Sequence, residues 1–338
     1  MCGPNLSAVM SRDADPLADE FALIAEIFAP LAKADANSFG LTDDAAIISP
    51  PAGKDLVVTA DMMVAGVHFF ADDAPDMIAR KLMRVNLSDL AAKGAAPHGY
   101  ILTVALPRNV TMAWLRSFAK GLAQDQAEFG INLLGGDTTA TNGPLCLSLT
   151  AMGWVDKDQM VRRSGAQTGD DIYVSGTIGD AMLGLRVRRD GLIAGLSKAQ
   201  NNYLLGRYLI PQPRNILAPL LSGLAHAGID ISDGLAADLG HILETSAVGA
   251  EIQLADIPLS DAAKALQQLD IADLISGGDD YELLLSCAPA HRQTLAEISV
   301  KTGVSLTRIG HVTATKEAVF LDKNGTRTPL KRAGYQHF

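Results

Sequence analysis

The chain has 338 residues, 48% of them hydrophobic and 20% charged, a composition that excludes disorder and suits about two domains of ~150 residues each. Its 28 Lys and Arg against 38 Asp and Glu give a net charge of −10, without the basic stripe of a nucleic-acid binder. Cys2, Cys146 and Cys287 form no C-x-x-C pair, residues from Met1 to Pro16 carry no basic-then-apolar leader, and no apolar run reaches a membrane-spanning length, so a cytoplasmic protein without disulfides, structural zinc or a membrane anchor is expected.

In chain order, Phe21, Ile24, Ile27, Phe28 and Leu31 recur at helical spacing and predict an amphipathic helix over 20–33. Two short strands are expected at 45–49 and 56–60, joined by a turn at Pro50-Pro51-Ala52-Gly53. Pro75 opens a long helix to about Ala92, with Gly94 as its stop. A buried-type strand over 100–106, a helix over 111–129 capped by Thr111 and stopped by Gly130, and strands at 131–134 and 145–155 complete the first half. The polar break Asp156-Lys157-Asp158-Gln159 divides the chain into an N-terminal domain, 1–155, and a C-terminal domain, 156–338. The second half holds a strand at 172–175, helices at 181–189 and around 198–208, and a helix at 234–245. Strands at 250–254 and 281–286 follow, then a last helix–strand pair ending near Leu321. Helices and strands mix throughout, so the class is α/β or α+β.

The aspartates carry the chemical signal. They sit beside glycines or at the ends of apolar runs, as Thr42-Asp43-Asp44-Ala45, Thr59-Ala60-Asp61, Asn86-Leu87-Ser88-Asp89, Gly135-Gly136-Asp137-Thr138-Thr139, Asp230-Ile231-Ser232-Asp233-Gly234 and Ser276-Gly277-Gly278-Asp279-Asp280. Any one of them alone is most simply a turn former or a helix cap, Asp233-Gly234 included. Their repetition is harder to explain that way, and Asp89 interrupts a helix face otherwise built for a core.

If these carboxylates converge, they need cations. Two unit charges 4 Å apart repel by about 4 kcal/mol at an effective dielectric of 20. Oxygen donors without clustered His or Cys select Mg²⁺, which takes bound phosphates into its shell. A multi-magnesium polyphosphate site is therefore expected. The chain has no P-loop, no kinase-type glycine loop and no nucleophile elbow. Gly135-Gly136, expected at a strand end, offers backbone N–H groups to phosphate, and Arg163 in Arg162-Arg163-Ser164-Gly165 offers a bidentate clamp. For Arg163 a surface salt bridge is the plain alternative. His68, between Val67 and Phe69, reads on its own as a packed histidine.

Taken together, these motifs, with Thr-Ala-Asp-Met-Met-Val-Ala-Gly-Val-His-Phe, Val-Asn-Leu-Ser-Asp-Leu-Ala-Ala-Lys-Gly-Ala and Ser-Gly-Gly-Asp-Asp-Tyr-Glu-Leu, resemble the thiamine-monophosphate kinase family over about residues 20–337. That family belongs to the ATP-binding superfamily of aminoimidazole ribonucleotide synthetase and selenophosphate synthetase. The resemblance implies a two-domain synthetase-like fold of mixed sheets covered by helices. It implies the reaction ATP + thiamine phosphate → ADP + thiamine diphosphate, the last step of thiamine diphosphate synthesis, and a homodimer formed through the N-terminal domain. It assigns Asp44, Thr59, Ala60, Asp61, Asp89, Asp137, Asp230 and Asp233 to magnesium, and Gly136, Asp137, Arg163 and Ser232 to ATP. His68 and Asp279 would face thiamine phosphate, and Asp44, Asp89, Asp137 and Arg163 would serve catalysis.

The sequence departs from the family at four places. Thr42 stands for a glycine before the Asp-Asp pair, Ala60 for a threonine and Asp279 for a glutamate. Arg332 stands for a ring-stacking tryptophan, leaving Arg332 or Tyr335 to contact the substrate ring. Two rival readings are another ATP-dependent synthetase of the superfamily and a nucleotide-binding regulator without turnover. Cys2 has no neighbouring Lys, as a selenophosphate synthetase would require, and the chain does not end in a reactive Cys like the hydrogenase-maturation branch.

Overall fold

The computed structural model describes residues 19–267, 269–330 and 334. Its first half holds strands β1 (Lys54–Val64), β2 (Ala96–Pro107), β3 (Asn132–Thr141) and β4 (Cys146–Asp156), with helices α1 (Pro75–Ala92) and α2 (Met112–Phe129). The strands form one sheet in the order β1-β4-β2-β3, in which β2 and β3 run parallel and the other pairs antiparallel. The second half holds β5 (Asp171–Ser175), β6 (Ala225–Asp230), β7 (Gly249–Gln253), β8 (Leu283–Cys287), β9 (Leu306–Thr313) and β10 (Ala318–Leu321). They form a sheet in the order β10-β7-β9-β5-β8-β6, antiparallel except for β10 with β7. Helices α3 (Asp180–Asp190), α4 (Lys198–Leu209), α5 (Leu235–Ser246) and α6 (Arg292–Thr302) complete it.

Helix boundaries follow local chemistry. Pro75 occupies the first turn of α1, where its missing N–H costs nothing, and Gly94 leaves the helix at φ 72°. The Thr111 hydroxyl accepts from Trp114 N–H at 3.2 Å, and α2 ends at Gly130 with φ 65°. The N-terminal helix spans 20–32, but its middle, Ile24–Phe28, is π-helical.

Helix α1 joins the two halves. Its side chains from Ile78 to Ala92 are almost all buried. Leu82, Leu87 and Leu90 join the first sheet's core, while Ala91 and Ala92 pack with Tyr173, Leu283 and Leu285 of the second sheet. Arg84 holds the buried Asp125 of α2 through two bonds of 2.7 and 2.9 Å and donates to Pro211 O at 3.0 Å. Asn215 Nδ2 donates to Leu87 O, and Arg188 of α3 pairs with Asp73 at 2.6 Å.

Several expectations need correction. Residues 45–49 are not a strand: they are mostly exposed, and Ile47 N–H bonds to Asn37 O instead of to a neighbouring strand. The β1 strand instead runs on to Val64. The Gly135-Gly136 motif is not at a strand end but inside β3, which continues to Thr141 along the sheet edge. The segment 225–230 is a strand that periodicity did not mark, and the last helix is followed by two strands, not one.

Candidate active site

Alternation along β1 places Val57, Thr59, Asp61 and Met63 toward α1, and Leu56, Val58, Ala60 and Met62 on the exposed face. On α1 and its C-cap, Asn86, Asp89 and Lys93 lie at i, i+3 and i+7 and share one face. The two rows meet. Thr59 Oγ1 donates to Asp89 Oδ2 at 2.5 Å, and Asp61 N–H donates to Asn86 Oδ1 at 3.1 Å. Asn86 Nδ2 also donates to Leu82 O, so this amide fastens strand to helix and is engaged on both sides.

Asp230 completes the cluster from the end of β6. It is buried, and burial, followed by the charge of Asp89, pushes its carboxyl well above the usual carboxylate range, with Asp238 and Asp61 adding to the effect. Burial and Asp89 push Asp61 up to about 6. Among the described residues, Lys93 is a cation within this group; it donates to Gly228 O at 2.9 Å, and burial lowers its pKa against the pull of Asp230 and Asp89. Three crowded carboxylates, two of them pushed toward their protonated forms, make a site that favours a further positive charge. Hard oxygen donors crowded in this way fit a divalent cation such as Mg²⁺.

The cluster lies between two openings. On one side, Thr59, Asp89, Lys93 and the exposed Arg163 line a groove of about 500 Å³. On the other, Asp61, His68, Ser232, Asp233, Asp279 and Tyr281 line a cavity of about 440 Å³. Val64 N–H donates to His68 Nδ1 at 3.0 Å, which leaves Nε2 to carry the proton of the neutral ring. Asp279 and Tyr281 sit at φ 71° and 50°, a conformation that side chains other than glycine rarely adopt.

The remaining predicted residues stand elsewhere or in altered roles. Asp44, Gly136 and Asp137 line a separate hollow of about 360 Å³ beneath Phe21 and Phe28. Within one chain, therefore, the acids do not gather in one basket. Gly136 has a packing reason for its identity, since a Cβ there would stand 2.0 Å from Leu102 O; Gly135 faces open space. Asp233 is not a helix cap: Gly234, at φ 119°, is the N-cap of α5. The Asp233 and Gly234 N–H groups both donate to Asp238 Oδ2 at 3.1 Å, and ligand atoms of Asp233, Asp238 and His241 lie within 4.8 Å of one another. Ala60 turns its methyl away from Thr59 and Asp61. Thr42 is unstrained, because the left-handed turn falls on Phe39, Gly40 and Leu41, and its hydroxyl donates to Phe39 O at 2.7 Å. Arg332 and Tyr335 lie outside the described residues.

Sequence reasoning passed over Lys81, Lys93, Asp238 and Tyr281. Lys81 carried a signal, since it lies on the same α1 face as the apolar Ile78, Leu82 and Val85 and is only 2% exposed.

Two sheet-bearing halves joined by one buried helix match known proteins over most of the chain. The models "AIR synthase related protein, N-terminal domain" and "C-terminal domain" cover residues 42–155 and 167–323, which places the chain in the AIR synthase-related class. Within that class the chain belongs to the thiamine-monophosphate kinase family. The thiamine-monophosphate kinase of Caulobacter vibrioides is 41% identical over 324 residues, spanning 94% of this chain and 90% of that protein. The Escherichia coli K12 kinase is 39% identical over 322 residues, spanning 94% and 98%. The crystal structure of the Stenotrophomonas maltophilia kinase superimposes with a TM-score of 0.82 at 40% identity, covering 92% of this chain and 98% of that one. The structure of AaThiL complexed with AMPPCP and TMP gives 0.76 at 26% identity, covering 94% and 97%. The hydrogenase maturation protein HypE, at 19% identity and a TM-score of 0.76, shares the fold.

Proposed function

We propose that this chain transfers the γ-phosphoryl group of ATP directly to the phosphate of thiamine monophosphate, giving thiamine diphosphate. The observation that carries this reading is the acidic seam of Thr59, Asp61, Asp89 and Asp230 set between a groove with fixed cations and a polar cavity. A donor polyphosphate along Arg163 and Lys93 and an acceptor beside His68 and Asp279 would approach each other across that seam. The relatives' names and the AMPPCP and TMP bound to AaThiL support the choice of both substrates.

The acceptor is a phosphate oxygen that is already anionic, so the transfer needs no strong general base. What it needs is alignment and charge neutralisation of two polyanions. Asp61, Asp89, Asp230 and the Thr59 hydroxyl would hold magnesium; when bound, the metal neutralises the phosphates and draws charge from the transferred group. Arg163 supplies a planar guanidinium that can clamp a phosphate through two bonds. Asn86 keeps Asp61 in register with Asp89, and His68 offers Nε2–H to an acceptor atom of the substrate. In this reading the N-terminal domain carries nucleotide, metal and the contact between copies, and the C-terminal domain, through Asp230, Ser232, Asp233 and Asp279, completes the nucleotide and substrate site.

An assay that couples ADP release to NADH oxidation tests the proposal, with thiamine phosphate, thiamine or no acceptor, with and without Mg²⁺. Turnover should require thiamine phosphate and the metal together. Turnover on thiamine but not on thiamine phosphate would reject the acceptor, and ATP binding without turnover on any acceptor would favour a regulator.

A further inference from the structure

Lys81 is out of place by composition. Lysine is among the residues least often buried, because its ammonium is costly to remove from water. On α1, however, its side chain is only 3% exposed. Nζ donates to Asp279 Oδ2 at 2.9 Å and to His68 O at 3.2 Å, and it stands 3.8 Å from the centroid of the Tyr208 ring. The two residues that it grips by hydrogen bonds come from different halves of the chain, and both line the 440 Å³ cavity, whereas Lys81 itself lies behind the wall.

The pair is asymmetric. Asp279 is one-third exposed and Lys81 is dry, so the ammonium holds the carboxylate from behind while the carboxylate meets the cavity. Asp279 Oδ1 is left with the Tyr281 hydroxyl at 3.3 Å. Asp279 also has the left-handed backbone noted above, which a neighbouring charge can help to hold. On the other side, the bond to His68 O fixes the turn in which Val64 N–H sets the tautomer of the imidazole. One ammonium thus ties the Asp279 carboxylate to the His68 turn across the wall of the cavity.

We propose that Lys81 is a positioning residue for the phosphate acceptor: it holds Asp279 and the His68 turn in place at the wall of the acceptor cavity. This rests on the assignment of thiamine phosphate to that cavity. The test uses Lys81→Met, Asp279→Asn and the double variant, with KM for thiamine phosphate and KM for ATP measured separately. Loss of a hydrogen bond to a charged group should raise the thiamine-phosphate KM by about tenfold or more, with the ATP KM unchanged. Because Lys81 acts in part through Asp279, the double variant should lose less than the product of the two single losses. A folded Lys81→Met enzyme with an unchanged thiamine-phosphate KM, a parallel rise in both KM values, or additive effects would each overturn the proposal. If Lys81→Met does not fold, Lys81→Arg keeps the charge but not the point contact, and the same split in KM decides. Wild-type enzyme that turns over no thiamine phosphate would instead reject the acceptor assignment itself.

Discussion

Asp89 is where the site's charge is concentrated, since it touches Thr59 and raises the pKa of both Asp61 and Asp230. Replacing it with Asn keeps the shape and removes the charge. Turnover should fall by about two orders of magnitude or more while the melting temperature holds or rises, because the variant relieves repulsion in the unliganded protein; unchanged turnover would leave Asp89 a helix residue only. A related prediction concerns pH. A carboxyl whose pKa is raised on folding stabilises the native state fully below its unfolded pKa, near 4, and that contribution is lost as pH rises through the folded value. For Asp61, with a folded value of about 6, the loss is on the order of 3 kcal/mol. Mg²⁺ bound to the ionised cluster should restore it, so the metal-induced rise in melting temperature should be larger at pH 7.5 than at pH 5.5. Equal rises at both pH values would place the metal elsewhere. At this scale Asp89 was legible in the sequence as an acid out of place on an apolar helix face. The sequence hinted at Lys81, a lysine on an apolar helix face, and was silent on Lys93, whose importance comes from what lies opposite it in the fold.

Helix α1 is the element on which the site depends, because it supplies Lys81, Asn86 and Asp89 while sealing both cores. Its seat on α2 is ionic: Arg84, 1% exposed, is held by the wholly buried Asp125 and also bonds to Glu128 at 2.6 Å. Arg84→Met would leave the Asp125 carboxylate buried with, among the described residues, the half-buried Arg80 as its remaining ion-pair partner. A loss of about 3–5 kcal/mol in a denaturant melt is expected; a loss below ~1 kcal/mol would show that α1 is held by its apolar contacts alone. Gly136→Ala tests the β3 edge. The Cβ would strike Leu102 O, so a loss of about 1–3 kcal/mol is expected even with no ligand present, whereas a glycine kept only for phosphate access would tolerate the methyl. Helices with local caps, α1 and α2, were readable almost to the residue because Pro75, Thr111, Gly94 and Gly130 act locally. Strand ends were not. The length of β3 and the existence of β6 depend on which neighbour offers hydrogen bonds, and the exposed 45–49 segment has strand-like residues but no such neighbour.

For the whole molecule, the outer face of the first sheet and the separation of the acids raise the same question. Leu56, Val58 and Met62 of β1 and Ile101 of β2 are 39–60% exposed on one face of that sheet, an apolar surface suited to a second copy. Along one rung, Asp61 pairs with Leu149, Leu149 with Leu102 and Leu102 with Gly136. Three strand spacings therefore separate Asp61 from the Gly136-Asp137 corner, about 14 Å, too far for one magnesium ion to touch both. Among the described residues, β1 and β3 are also the two edge strands of the sheet, and a two-fold dimer that closes one against the other removes both edges. It would bring Asp44 and Asp137 of one copy toward the seam of the other. The wild-type protein should sediment as a dimer at micromolar concentration, and Ile101→Glu should shift it toward monomer. The composite site makes a sharper prediction. Asp61→Asn and Asp137→Asn should each be inactive alone. After co-expression in equal amounts, half the dimers would be mixed, each with one intact site, and about a quarter of wild-type activity should return. If each chain holds a whole site, mixing inactive chains restores nothing, and Asp137 then acts only through its own hollow.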